Sequence, residues 1–250
     1  MTVRTVAGRG EITPGDGPLL ISIGVFDGLH LGHAWLLEQL VREARLRSVR
    51  PAVITFDAHP DAVLVGAAPP LLMDPRERLE QLGDLGVEVV VIEHFDDALR
   101  LTPYDTFVAG ITTRCRLAGF VMTPDAAFGH ERAGTPAAVA ELGRHEGFEV
   151  VLVPPFTLEG REVRSSEIRT AIAAGDFGTA ERLLGRPYTI CGDVDDAGLM
   201  TFPMPVALPP AGTYPAAVAG ASGELTVGSD GSVRLAADAR GPVRIELTSD

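Results

Sequence analysis

Two histidines, His30 and His33, stand three residues apart in a segment that runs from Gly24 to His33 and reads Gly-Val-Phe-Asp-Gly-Leu-His-Leu-Gly-His. The glycines at positions 28 and 32 lack a Cβ atom, so a phosphate group can approach their backbone closely. Imidazole N–H groups can donate hydrogen bonds to phosphate oxygens as negative charge develops on them. The segment therefore suits phosphoryl or nucleotidyl transfer without a covalent intermediate.

A His-x-x-His pair has two simpler explanations, a structural pair with satisfied hydrogen bonds or half of a metal site. Neither explains the two glycines, Asp27, or the change from strand to helix across the segment. A helix that begins near Leu31 would add unpaired N–H groups and the positive end of its dipole. We therefore expect this segment to bind an anion and to take part in catalysis.

The segment lies between a buried strand predicted at residues 19–25 and an amphipathic helix predicted at residues 34–46. Strands and helices alternate up to about residue 187, which predicts an α/β fold with a Rossmann-like parallel sheet and helices on both faces. Such sheets bind ligands at the carboxyl ends of their strands, where the histidine segment lies. Further strands are predicted at 52–56, 87–92, 118–122 and 148–153, and further helices at 75–85, 104–111, 135–145, 166–174 and 177–184.

The sequence pattern changes after Pro187, because no amphipathic helix is predicted beyond it and Gly, Pro, Ala and Val become frequent. We therefore predict a first domain at residues 1–187 and a small all-β C-terminal module at residues 188–250. A module of about 60 residues is close to the lower size limit for independent stability. Its short strands are predicted at 225–227, 233–236 and 243–247.

All 21 basic residues are arginine, and the absence of lysine excludes whole classes of mechanism. P-loop and Schiff-base chemistry both need a lysine, so arginine, histidine, hydroxyl or backbone N–H groups must hold any phosphate. The net charge of −13 argues against sequence-independent nucleic-acid binding. No apolar run approaches the roughly 20 residues of a membrane span, and the N-terminus has no signal-peptide pattern. We expect a cytoplasmic enzyme without nucleic-acid or membrane partners.

Several segments together resemble one family, the prokaryotic bifunctional riboflavin kinase/FAD synthetases of the HxGH nucleotidyltransferase superfamily. The histidine segment is similar to that superfamily's signature, Gly-x-Phe-Asp-Gly-x-His-x-Gly-His. The other segments resemble the narrower family and follow one another in its order, so that the resemblance covers roughly residues 19–190. They are residues 53–60, 76–89, 125–134, 163–169 and 183–188.

The resemblance implies adenylyl transfer from ATP to FMN, which gives FAD and pyrophosphate with Mg²⁺ as cofactor. It identifies no metal ligands. The residues that it implies for catalysis are His30, His33, Ser166 and Arg169. For ATP binding, the resemblance implies Gly24, Phe26, Asp27, Gly28, His30, His33, Ser165, Ser166 and Arg169. For acceptor binding, it implies Asp57, His59, Asp125, Phe128 and Arg132.

Some positions depart from the family pattern. Arg164 replaces the first serine of the family's Ser-Ser-Thr block, whereas Ser166 replaces its threonine and keeps a hydroxyl group. Thr123 replaces a glycine of the family pattern, and Ala126 replaces a phenylalanine that the resemblance places in a flavin or adenine wall. The family's kinase motif, Gly-Phe-Pro-Thr-x-Asn, keeps only its Phe-Pro at residues 202–203, and the tail is too short for the family's kinase barrel.

These departures leave three functions open. The first is FMN adenylyltransferase without riboflavin kinase activity, with the tail as a remnant of the kinase barrel. The second is adenylyl or cytidylyl transfer to another phosphorylated small molecule. The third is a non-catalytic paralogue that binds flavin or nucleotide, against which the intact His30, His33 and Arg169 argue.

Overall fold

The computed structural model describes residues 3–236 and 239–247 of the chain. The chain forms two compact units. The domain boundary at residue 187 stays a prediction, and the parts of the predicted module at 237–238 and 248–250 lie outside the described residues. The first unit contains Met1–Phe26, Gly32–Ala68 and Leu79–Phe156, and the second contains Asp27–Leu31, Pro69–Arg78 and Thr157–Asp250.

A six-stranded parallel sheet forms the centre of the first unit. Its strands are β1 (Arg4–Ala7), β2 (Leu19–Ile23), β3 (Arg50–Phe56), β4 (Val89–Glu93), β5 (Leu117–Met122) and β6 (Glu149–Leu152). Strands β2 to β5 are apolar and buried along most of their length, as is typical of sheets covered on both faces. The spatial order is β1-β4-β3-β2-β5-β6, so β3 and β5 flank β2 on opposite sides. The carboxyl end of β2 therefore lies at the switch in strand order where α/β sheets bind ligands.

Helix α6 (Pro136–Glu146) begins and ends at capping residues. The Thr135 hydroxyl oxygen accepts a hydrogen bond from the Ala138 amide, and Gly147 takes the left-handed conformation that ends the helix. The helices in this part of the chain are α1 (Leu31–Arg47), α2 (Asp61–Leu64), α3 (Pro75–Asp84), α4 (Asp97–Arg100), α5 (Tyr104–Thr112) and α6 (Pro136–Glu146).

The parallel sheet confirms the predicted α/β class, but the sequence analysis missed three short elements. Strand β1 escaped prediction because only Val6 of its four residues is buried, so it shows neither an apolar run nor alternation. Helices α2 and α4 have four residues each, which is too short for helical periodicity to show. Strand β2 also ends at Ile23, two residues before the predicted end.

Six antiparallel strands close into a barrel in the second unit. They are β9 (Tyr188–Val194), β10 (Leu199–Thr201), β11 (Gly212–Val218), β12 (Ala221–Val227), β13 (Val233–Ala236) and β14 (Gly241–Leu247). Strand β14 closes the barrel by pairing with β9. Leu247 lies opposite Tyr188 at one end of this pairing, and Gly241 lies opposite Val194 at the other. Leu225 and Ile245 are fully buried in the hydrophobic core of this unit.

The barrel confirms the predicted all-β module and has six strands where the sequence pattern predicts three. That the tail is too short for the family's kinase barrel stays a prediction. A short turn allows β11 and β12 to pair within few residues, because only Ala219 and Gly220 separate the two strands. Both residues have positive φ, 49° and 82°, which is typical of a two-residue hairpin.

Before the barrel, the second unit contains a short hairpin and two helices. The two helices agree with prediction to within one residue at each end. Among the residues that the structure describes, no helix has the length and hydrophobicity needed to cross a bilayer. The hairpin consists of β7 (Thr157–Leu158) and β8 (Arg161–Glu162), and the helices are α7 (Ser165–Ala173) and α8 (Phe177–Leu184).

The barrel core can be tested with Leu225→Ala, because Leu225 is 0% exposed. We expect this change to lower the free energy of unfolding by about 2–5 kcal/mol, since it removes buried methyl groups and leaves a cavity. Leu46→Ala is the control, because Leu46 is 70% exposed, and it should change stability by less than about 0.5 kcal/mol. Urea unfolding followed by circular dichroism measures both. Equal stability of the two variants would contradict the assigned core.

Candidate active site

The backbone bends sharply through the first half of the histidine segment. Phe26, Gly28 and Leu29 have positive φ angles of 52°, 77° and 38°. This conformation costs a non-glycine residue about 1–2 kcal/mol, so the surrounding structure must hold it in place. Only glycine fits at position 28, because a Cβ atom there would lie 3.0 Å from Cβ of Leu72. The shape of this turn therefore depends on contacts made far along the chain.

The carboxylate of Asp27 is the main anchor of this turn and is only 3% exposed. Its oxygens accept hydrogen bonds from the Leu72 amide at 3.0 and 3.1 Å and form an ion pair with Nη2 of Arg169 at 2.5 Å. Burial raises the pKa of Asp27, while the charge of Arg169 and the Leu72 amide act to lower it. Because these partners occupy both carboxylate oxygens, Asp27 acts in this structure as an anchor of the turn.

The start of helix α7 is bound to the same turn. The Ser165 hydroxyl donates a hydrogen bond to the Asp27 carbonyl at 3.1 Å, and Nε of Arg169 donates one to the Pro70 carbonyl at 2.8 Å. The residue that precedes the helix is Arg164, whose side chain makes no capping hydrogen bond. Ser165 is therefore not a simple helix cap. Ser166, the next residue, is exposed at the helix start.

His30 is buried in the second unit, with 5% of its surface exposed. The pKa of His30 is lowered to about 4, mainly by burial and also by the nearby positive charges of Arg186 and Arg169. Arg186 is also tied to the turn, because its Nη2 donates a hydrogen bond to the Gly28 carbonyl at 2.9 Å. His30 is therefore neutral at pH 7, and a neutral imidazole can donate one N–H to a phosphate oxygen.

His33 belongs to the first unit, on the first turn of α1. Its ring contacts the ring of Phe26 edge to face, with the centroids 5.3 Å apart. Phe26 in turn folds back over Gly24, where a Cβ atom would lie 3.1 Å from the phenyl ring. These contacts explain why glycine and phenylalanine occur at the first and third positions of the segment.

A cleft of about 610 Å³ opens in the first unit at the carboxyl ends of the strands. Its walls are mainly apolar and include five phenylalanine rings. The rings of Phe107 and Phe120 lie 5.5 and 5.6 Å from that of Phe128. Phe56 and Phe95 form another part of the lining, edge to face at 5.3 Å. The volume and the apolar lining suit a planar ring system of cofactor size.

The predicted acceptor residues divide into two groups. Phe128 and Arg132 line the cleft, whereas Asp57, His59 and Asp125 lie outside its described lining. The Asp125 carbonyl accepts a hydrogen bond from Nη2 of Arg132 at 3.1 Å, and its carboxylate accepts one from the hydroxyl of Thr123. Nδ1 of His59 accepts a hydrogen bond from the backbone amide two residues later. Acceptor contact by either group stays a prediction.

The loop that carries Arg132 has a strained backbone. Glu131 and Arg132 both have positive φ, 54° and 56°, and Gly129, two residues before Glu131, has a φ of 75°. Gly129 is pressed against helix α5, since a Cβ atom there would lie 2.6 Å from the backbone nitrogen of Tyr104. Strain of this kind is typical of ligand-binding loops, in which it holds a side chain in one orientation.

Asp57 supports the aromatic wall of the cleft without lining it. Its carboxylate bonds Nδ1 of His94 at 2.6 Å and accepts a hydrogen bond from the Phe95 amide at 3.2 Å. Burial acts to raise the pKa of Asp57, but the bonds from His94 and Phe95 outweigh it and lower the pKa. The hydrogen bond to Asp57 raises the pKa of His94. The pair links the ends of β3 and β4, next to the ring contact between Phe56 and Phe95.

Sequence analysis overlooked His94, Phe95 and Arg186. The first two directly follow β4, at the same edge of the sheet as the histidine segment, so the rule that placed that segment could also have found them. Arg186 had no comparable signal, because it follows a helix rather than a strand. Among the described residues, no group of three or more His, Cys, Asp or Glu side chains could hold a metal ion, and the metal ligands stay unassigned.

Residues 14–167 match the protein family described as FAD synthetase. The chain belongs to the FAD synthetase family. Two relatives are described as bifunctional riboflavin kinase/FMN adenylyltransferases. The one from Haemophilus influenzae is 32% identical over 70% of this chain and 57% of its own length, and the one from Escherichia coli strain K12 is 31% identical over 70% and 56%. The matched region thus spans little more than half the length of either relative.

The fold of this FAD synthetase family member also occurs in a solved structure. A protein from Streptococcus pneumoniae, described as a macrolide-efflux protein, superimposes with a TM-score of 0.80. The match covers 99% of this chain and 90% of that one, at 22% sequence identity. At that identity the similarity concerns the fold alone.

The environment of His30 predicts a pH-dependent stability. Because the pKa of His30 is about 4 in the folded protein and near 6.5 in an unfolded chain, the unfolded chain takes up a proton first as the pH falls. The neutral His30 therefore stabilises the folded protein fully above about pH 6.5, and this stabilisation is lost progressively as the pH falls towards 4. The free energy of unfolding should fall by about 3 kcal/mol, because each unit of difference in pKa corresponds to about 1.4 kcal/mol.

His30→Gln should remove this part of the pH dependence, because glutamine does not titrate. Urea unfolding at pH 7, 5.5 and 4 measures the difference between wild type and variant at each pH, which cancels contributions from other groups. His145→Gln, on the exposed end of α6, is the control and should follow wild type. Parallel curves for wild type and His30→Gln would show that His30 is not buried as described.

Proposed function

We propose that this protein is an FMN adenylyltransferase, which converts ATP and FMN into FAD and pyrophosphate. The observation that carries the proposal is the turn at residues 27–31, which holds His30 beside two arginines in a chain of the FAD synthetase family. A neutral buried imidazole, guanidinium groups and an exposed serine at a helix start together suit a polyphosphate. The chain contains no lysine that could perform these roles instead.

In the proposed reaction, a phosphate oxygen of FMN attacks the α-phosphorus of ATP in line with the leaving group. A new P–O bond forms as the bond to the β-phosphate breaks, and pyrophosphate leaves with the electron pair. His30 and His33 donate hydrogen bonds to the oxygens of the reacting phosphate, and Ser166 and Arg169 contribute to binding of the phosphates that leave. Catalysis by positioning and charge stabilisation needs no covalent intermediate. Mg²⁺ bound to the phosphates of ATP would neutralise part of their charge.

The aromatic cleft of the first unit is the proposed site for the isoalloxazine ring of FMN. Rings at the distances found around Phe128 bind planar heterocycles through edge and face contacts. Arg132, held by its bond to the Asp125 carbonyl, offers positive charge to an anionic acceptor. We assign Asp57 an indirect role, because it bonds the Phe95 amide and supports the ring next to Phe56.

Incubation of the purified protein with ATP, FMN and Mg²⁺ should yield FAD and pyrophosphate, detected by chromatography and a coupled phosphate assay. His30→Ala and His33→Ala should each lower kcat about 100-fold or more, because each removes a donor to the transition state. His145→Ala is the matched control, since His145 is exposed on α6. Wild-type rates in both site variants, with unchanged circular dichroism, would refute the mechanism. Binding of ATP and FMN without turnover would favour the non-catalytic paralogue.

A different phosphorylated acceptor is the second candidate, and Ala126 motivates it. Ala126 lines the cleft at the position where the family has phenylalanine, so the cleft has one aromatic wall fewer. If FMN is the acceptor, Ala126→Phe should lower the KM for FMN and leave the KM for ATP unchanged. A screen of FMN and other phosphorylated acceptors, with ATP and with CTP, measures this through pyrophosphate release. Release only with a non-flavin acceptor would favour this second candidate.

We also propose that the barrel lacks riboflavin kinase activity. The stretch around residues 202–203 keeps the Phe-Pro of the kinase motif but has Met204 and Val206 where the family has threonine and asparagine. Neither side chain offers the hydroxyl or amide oxygen that would bind ATP and magnesium. Incubation with riboflavin and ATP should therefore give no FMN, and detection of FMN would contradict this proposal.

A further inference from the structure

Arg186 occupies the connection between helix α8 and the first barrel strand. The residue before it, Gly185, has a positive φ of 76°. A Cβ atom at Gly185 would lie 2.6 Å from Cδ2 of Leu31, so the connection is pressed against the end of the histidine turn. Strand β9 begins two residues after Arg186. The connection thus has little freedom to move its side chain away from the turn.

The guanidinium group of Arg186 has hydrogen-bonding capacity that the protein does not use. Nη2 donates to the Gly28 carbonyl, but Nε and Nη1 are buried and have no hydrogen-bond partner among the described residues. A buried donor without an acceptor is costly, and more so when it carries charge. Such groups usually require an explanation, of which a ligand is one.

Unlike its neighbours, Arg186 has no ion pair of its own in the described part of the chain, although the charge of Glu77 acts on it electrostatically. Arg169 is paired with Asp27 at 2.5 Å, and Arg244 is paired with Glu77 at 2.9 Å. Among the described residues, Arg186 has no carboxylate within ion-pair distance. Its field reaches the histidine, since Arg186 is the charged group that most depresses the pKa of His30. An anion that binds beside His30 would therefore meet the positive charge of Arg186.

We propose that Arg186 is a further binding residue for the phosphates of the nucleotide, in addition to the residues of the histidine segment and of α7. The proposal rests on the proposed function, because it deepens the same site. Arg169 is engaged by Asp27, so Arg186 supplies the guanidinium with free donors. The Arg186 side chain is half-buried as a whole, although its Nε and Nη1 atoms are themselves buried.

The barrel holds Arg186 in place from its C-terminal side. Tyr188 is buried, and its hydroxyl donates a hydrogen bond to the Ala207 carbonyl at 2.7 Å. The Thr189 hydroxyl donates to the buried carboxylate of Glu77 at 3.1 Å. These bonds fix the backbone just after Arg186. The barrel therefore contributes to the nucleotide site even without kinase activity of its own.

Calorimetric titration with ATP and with inorganic tripolyphosphate, both in the presence of Mg²⁺, tests the role of Arg186. Arg186→Gln should weaken binding of both ligands about 10- to 100-fold, the range expected when a charge-assisted hydrogen bond is lost. The affinity for FMN should not change, and Arg186→Lys should recover part of the lost affinity because it keeps the charge. Arg182→Gln is the matched control, since Arg182 is an exposed arginine one turn earlier, on α8.

Equal binding of tripolyphosphate by wild type and Arg186→Gln would overturn the proposal, as would a folded Arg186→Lys that binds no better than Arg186→Gln. A measurement on the wild type covers the case in which Arg186→Gln does not fold. The Nε–H resonance of Arg186, assigned by its loss in Arg186→Lys, should shift when tripolyphosphate is added. An unchanged resonance would also overturn the proposal.

The same experiments separate this inference from the proposed function. Tripolyphosphate binding that depends on Arg186, in a protein that forms no FAD, would support the inference and refute the proposed acceptor. FAD synthesis with nucleotide affinity independent of Arg186 would support the proposed function and refute the inference.

Discussion

The ion pair between Asp27 and Arg169 holds together three parts of the chain that are distant in sequence. Asp27 belongs to the histidine turn, Arg169 belongs to α7, and Arg169 and Asp27 also bond the backbone of Pro70 and Leu72. Removal of one partner of a buried pair typically costs about 3–5 kcal/mol, because the other charge is left uncompensated. The strained backbone from Phe26 to Leu29 persists only while such contacts hold it. A site residue can therefore be essential without touching the substrate.

The two units offer different chemical environments. In the second unit, buried guanidinium groups surround the histidine turn, although the protein as a whole carries a net charge of −13. Local charge, rather than net charge, decides whether a polyphosphate can bind, because burial weakens the screening by water. In the first unit, the cleft is lined by phenylalanine rings and contains few charges. Each environment matches one of the two ligands of the proposed reaction.

The amino-acid sequence predicts those features that depend on local pattern. Alternation of strands and helices predicts the parallel sheet, and the position of the histidine segment after β2 predicts where ligands bind. Pairing between distant residues leaves no local pattern, so the closure of the barrel through β9 and β14 was missed. For the same reason, the sequence could name Asp27 and Arg169 but could not indicate that they bond each other. Arg186 escaped because an arginine after a helix looks like an ordinary surface residue.

The contacts of the histidine turn also have a consequence for the order of folding. Asp27 and Arg169 are 142 residues apart in the chain, and Gly28 and Arg186 are 158 residues apart. Contacts across such long loops form late, since the entropy of loop closure must be overcome first. The turn is made early during synthesis but can take its final shape only after α7 and the connection to the barrel have folded. The native proton state of His30 therefore arises late in folding, and a partly folded chain would lack the nucleotide site that we propose.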